Sequence, residues 1–71
     1  MRNRLMRDTV SYIMAYEHGE LDDGETLDMF ARLVKSGMAW TLQGHYGRTA
    51  SILIQRGYIT HDGVLTGKEI K

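Results

Sequence analysis

The stretch from Asp22 to Gly37 is the part of this chain whose fold its own residues narrow down most. Asp22 followed three residues later by Glu25 forms the pattern of a capping box, with Asp in place of the commoner Ser or Thr. Asp22, Asp23 and Glu25 also complement the positive end of a helix dipole. Leu27, Phe30, Ala31 and Val34 then recur at helical spacing, Lys35 falls in the last turn, and Gly37 is a natural stop. A helix over 23–36 with one buried stripe is expected.

The chain has no proline, so its eight glycines carry the punctuation. A first helix is expected over about 4–17. Asn3 would cap it, Met6, Val10, Ile13 and Met14 would share one face, and Gly19 would sit just past its end. Residues 38–43 can form a short helical turn. A third helix is expected over about 45–56, with Tyr46, Ala50, Leu53 and Ile54 inward and Gly57 at its close. Gly47 in its first turn costs less than at mid-helix and permits close packing. Asp62-Gly63 between short β-type runs predicts a hairpin over about 58–66, with His61 facing Val64 and Thr60 facing Leu65. The fold expected is therefore mainly α, a three-helix domain with a C-terminal hairpin. It would be one domain over 1–67, with 68–71 a frayed tail.

Seventy-one residues leave no room for a second domain and bury a modest core. Without cysteine, neither disulfides nor Cys-based zinc can reinforce it. No apolar run approaches a membrane span, and the basic start MRNRLMRD is not followed by a signal-peptide core. The expected location is the cytoplasm. Net charge is zero, but the charges are sorted. Residues 1–28 sum to −4 and residues 29–71 to +4, with no acid from Met29 to His61. Such sorting fits two halves that attract each other in the fold, or a polar partner surface.

Catalytic chemistry finds little purchase. His18, His45 and His61 have no metal-ligand spacing between them, so no metal or cofactor is expected. The acids Glu17, Glu20, Asp22, Asp23, Glu25 and Asp28 gather at a loop and a helix start, which reads as capping and a solvated face. Their spacing does not match a calcium loop. Ser11, Ser36 and Ser51 lack a nucleophile-elbow context, and no phosphate-binding glycine loop is present. The chain is not expected to be an enzyme.

The densest segment is AWTLQGHYGRTASILI, residues 39–54. Its Gly44-x-x-Gly47 is similar to the loop by which KH domains hold single strands, but a KH domain needs a strand where the first helix is expected here. Three helices and a hairpin also match the order of a winged helix-turn-helix. The third helix would then present Arg48, Thr49, Ser51, Gln55 and Arg56 to nucleic acid. Four bases between Met29 and His61 are few for phosphate binding. As a protein-binding module, the segment offers Trp40, His45, Tyr46 and Arg48, residue types found at binding hot spots. The opposing expectation is that Trp40 anchors the core and Tyr46 is half-buried on the helical stripe. Joint burial of Trp40, Tyr46 and Arg48 would mark a folding signature, and joint exposure a partner site.

Tyr16-Glu17-x-Gly19-Glu20-Leu21, Glu25-Thr26 and AWTLQGHYGRTASILIQRGYI together resemble a family of small uncharacterised proteins found mostly in bacteriophage genomes. The resemblance spans about residues 12–59. It implies phage origin and brings no catalytic residues with it. By that resemblance, the chain would be an accessory protein that binds a host protein stoichiometrically, in the host cytoplasm. Nucleic-acid binding is the alternative.

Overall fold

A computed structural model describes residues 8–70 as three α-helices and one 3-10 turn. Helix α1 is Thr9–Glu17 and α2 is Asp23–Ser36. The 3-10 turn is Met38–Trp40, and α3 is Gly44–Gln55.

Helix α2 forms as its residues dictate. Glu25 N–H donates to Asp22 Oδ1 at 2.7 Å, and Asp22 N–H donates to Glu25 Oε1 at 3.1 Å, so both halves of the capping box are made. Leu27, Met29, Phe30, Ala31, Leu33 and Val34 are buried, a wider stripe than the expected four. Gly37 closes the helix in the left-handed conformation, its N–H on the Val34 carbonyl. Burying side chains such as Phe30 and Leu33 contributes about 1.5–3 kcal/mol each.

Helix α1 differs from expectation at its start and in its face. It is capped by Asp8, which is extended and accepts from Ser11 N–H at 2.8 Å, a bond that holds its carboxyl below the ordinary carboxylate range. The helix therefore begins at Thr9 rather than near residue 4. Asn3 and Met6 lie outside the described residues. Its inward residues are Tyr12, Ala15, Tyr16 and the expected Ile13, whereas Val10 and Met14 are 64% and 56% exposed. Two tyrosine rings bring more apolar area than Val and Met, and Tyr12 can go inward because its hydroxyl donates to Asp28 Oδ2.

Two glycines end helices as expected. Gly19 N–H bonds the Tyr16 carbonyl and Glu20 N–H the Ala15 carbonyl. Gly57 and Tyr58 repeat this pair on Ile54 and Leu53. Both are the paired hydrogen bonds of a Schellman motif.

The expected hairpin does not form, and among the described residues there is no strand. Residues 58–66 carry one antiparallel bridge, Ile59 to Leu65. The loop is 61–63, so the register slips from the expected pairing of Thr60 with Leu65. Thr60 N–H reaches the Val64 carbonyl at 2.9 Å, and the Thr60 hydroxyl accepts from Val64 N–H at 3.1 Å. The cause is tertiary. Gly63 is buried against α2 at a φ of +85°, where an added Cβ would stand 2.5 Å from Lys35 N and 2.6 Å from the Ala31 carbonyl. With that glycine seated, Ile59 enters the core and Val64 and Leu65 stay exposed. Beyond the turn, Lys68 Nζ donates to the Arg56 carbonyl at 2.7 Å and lies over the Tyr58 ring.

Helices α1 and α3 thus flank α2, and the 3-10 turn packs between α2 and α3. The core joins Phe30, Met29 and Leu33 to Tyr12, Ala39, Tyr46, Ala50 and Ile59. No helix among the described residues is long and apolar enough to cross a membrane.

Candidate functional site

The dense segment divides between core and surface. Tyr46 belongs to the core. It is 2% exposed, more buried than its expected half-burial, and its ring stands 5.8 Å from Tyr16 and 6.2 Å from Phe30. Its hydroxyl donates to Glu17 Oε2 at 2.6 Å. Burial first, and then the bond to Glu17 and its negative charge, hold the Tyr46 hydroxyl well above the ordinary tyrosine range. Tyr46 therefore ties the first turn of α3 to the end of α1. His45 is half-buried and stacks beside Tyr46, with ring centroids 4.1 Å apart.

Trp40 is placed differently. The 3-10 turn is three residues long, shorter than the expected 38–43, and it turns Ala39 inward and leaves Trp40 52% exposed. The expectation of a core tryptophan is corrected: the turn sets Ala39 and, in part, Met38 against the core and leaves Trp40 outside. Gly47 allows α3 to approach. A Cβ there would stand 3.3 Å from the Ala39 carbonyl and 3.6 Å from Trp40 Cε3. Gly44 leaves room for Arg48, whose Nη1 lies 3.0 Å from where a Gly44 Cβ would be.

Between the 3-10 turn and α3 runs an open groove of about 540 Å³. Ala39, Trp40 and Leu42 line one side, and Arg48, Ser51, Ile52 and Gln55 the other. The four α3 residues fall at i, i+3, i+4 and i+7, one face of a helix. Arg48, Ser51, Ile52 and Gln55 are all exposed. Arg48 makes no ion pair with any described residue.

Of the residues singled out for a protein partner, Trp40 and Arg48 meet at this groove, while Tyr46 and His45 pack inside. Of those singled out for nucleic acid, Arg48, Ser51 and Gln55 line it. Thr49 is half-buried, and Arg56 lies past the end of α3; neither lines the groove. Leu42 and Ile52 were not foreseen. The spacing of Ile52 from Arg48 and Gln55 carried the signal, but an isoleucine beside Leu53 and Ile54 reads as core.

Elsewhere the titratable groups fit local roles. His18 and His61 sit exposed beside Glu20 and Asp62. Arg32 pairs with Asp28 and lies over the Tyr12 ring. Among the described residues no three His, Cys, Asp or Glu side chains gather as a metal site would require.

No curated protein and no solved structure matches this chain. Residues 3–70 match a family described as Domain of unknown function (DUF7417). That match takes in the groove, the aromatic core and the turn that seats Gly63, and the chain belongs to the DUF7417 family.

Proposed function

We propose that this chain is a small phage accessory protein that acts without catalysis, by binding a host protein stoichiometrically in the host cytoplasm. The observation that carries the reading is the sole tryptophan, half-exposed in an open groove beside Arg48 and Ile52. Tryptophan and arginine dominate binding hot spots, and an apolar strip with a polar rim is how such sites are built. The core gains little from an indole left half in water, so the residue is better explained by a partner that covers it.

Nucleic-acid binding has one observation in its favour, the exposed face Arg48, Ser51 and Gln55 of α3. Against it stand the apolar centre of that face and its single cation, since phosphate recognition draws on several.

The test is capture from host lysate on the immobilised protein and on Trp40→Ala. The reading expects one partner in near-equal amount, lost with Trp40→Ala while the helical circular-dichroism signal persists. Capture of no stoichiometric partner would contradict it. A mobility shift on duplex DNA that weakens steeply with salt and is lost with Arg48→Ala would move the assignment to nucleic acid.

A further inference from the structure

Three hollows formed by the described residues differ in the charge of their linings. One lies over the first turn of α2 and has Asp23, Lys68 and Glu69 in its lining. Another lies beside the Gly63 turn and sets Asp28 with Arg32 and Lys35. Both linings hold carboxylates as well as cations, and in the second Arg32 pairs with Asp28. The Trp40 groove has Arg48 and no carboxylate among its lining residues. All of its lining comes from the stretch Met29–His61, which contains no acid. Arg48 is therefore a cation left uncompensated at the edge of an apolar strip.

We infer that the groove receives an acidic amphipathic segment of the partner protein. A bulky apolar side chain of that segment lies against Trp40, Leu42 and Ile52, and an Asp or Glu about one helical turn away pairs with Arg48. This rests on the protein-binding reading above and adds the chemistry of the occupant. The planar guanidinium takes a carboxylate in a two-point bond, which fixes register as well as charge. Ser51 and Gln55 supply neutral hydrogen-bonding groups along the same face. An open groove beside a helix suits a segment that presents anchors at helical spacing. A nucleic-acid strand could stack on Trp40, but it carries charge at every residue and meets one cation here.

Trp40 is the sole tryptophan, so its fluorescence reports on the groove alone. The experiment pans a random dodecapeptide library on the protein and titrates the enriched peptides while Trp40 emission is followed. The inference expects peptides with Asp or Glu one helical turn from Trp, Phe or Leu, and a blue shift on binding. Arg48→Glu and Ile52→Ser should each weaken binding about tenfold or more. Replacing the peptide acid with Lys should restore affinity for Arg48→Glu. Enriched peptides that are basic or neutral, with no response to the charge swap, overturn the acidic occupant and leave protein binding intact. Peptides that bind both variants like the parent place the surface elsewhere and overturn the inference. So does an emission shift produced by oligothymidylate alone, or by raising the protein's own concentration, which would indicate a second copy. A library with no binder overturns the inference, and the lysate capture then decides on protein binding separately.

Discussion

Helices α2 and α3 are similar in length, 14 and 12 residues, and differ in how completely their chemistry is closed. Helix α2 has a reciprocal capping box, a glycine stop and six buried side chains. Helix α3 starts on Gly44 behind Gln43, which lends no side-chain cap, and it buries Tyr46 and Ala50. Its other face leaves Ile52 and Arg48 in water opposite Trp40. Local rules agree with one another in α2 and leave a remainder in α3. In a domain this small, the closed helix carries the fold, and the remainder is where a partner is expected.

That division can be broken from either side. The largest effect is expected at the centre of α2. Phe30→Ala empties the space against Tyr16 and Tyr46 and should cost about 3–5 kcal/mol, enough to leave much of a marginal domain unfolded at physiological temperature. A thermal melt lowered by merely a few degrees would show that α2 is not the keystone.

Next come two glycines with the same backbone and different surroundings. Gly57 and Gly63 have φ of +81° and +85°, but a Cβ meets nothing within 4 Å at Gly57 and collides with α2 backbone at Gly63. Gly57→Ala should cost about 1 kcal/mol from strain alone. Gly63→Ala should cost about 2–4 kcal/mol, because overpacking adds to strain. Urea denaturation of both variants gives the difference, and equal losses would mean that the turn is not seated on α2.

A smaller effect is expected at Tyr46, where Tyr46→Phe removes the bond to Glu17 at a cost of about 1–2 kcal/mol. Its pH dependence has a definite sign. The folded hydroxyl is held above the ordinary value of about 10, so the unfolded chain releases that proton first. The contribution of this hydroxyl should be constant below about pH 10 and be lost as pH rises beyond it, and Tyr46→Phe should flatten that alkaline limb. The smallest effect is expected on the outer face of α3. Arg48→Glu and Ile52→Ser should each change stability by about 0.5 kcal/mol or less.

Legibility followed the range of the forces. The capping box at Asp22 and Glu25, the stops at Gly19, Gly37 and Gly57, and the inward set of Tyr46, Ala50, Leu53 and Ile54 are local, and they could be read directly. The face of α1 could not. Tyr12 counts as polar until Asp28, sixteen residues away, takes its hydroxyl. The register of the C-terminal turn hides for the same reason, because Gly63 is fixed by Lys35 and Ala31 rather than by its neighbours. Trp40 misleads because hydrophobicity sends it inward while the 3-10 turn sets Met38 and Ala39 against the core and Trp40 outside. At the groove, the polar face of α3 was readable from spacing, but its apolar floor came from packing the turn on Gly47.

The central claim is that the Trp40 groove serves a partner rather than the fold. The measurement that bears on it most directly is stoichiometric capture of a protein from host lysate, compared between the parent and the Arg48→Glu/Ile52→Ser double variant and scored beside the thermal melt of each. The account expects capture by the parent, none by the double variant, and a melt lowered by no more than the few degrees that about 1 kcal/mol represents. A double variant that melts far below that, or one that captures the same protein as the parent, would contradict it.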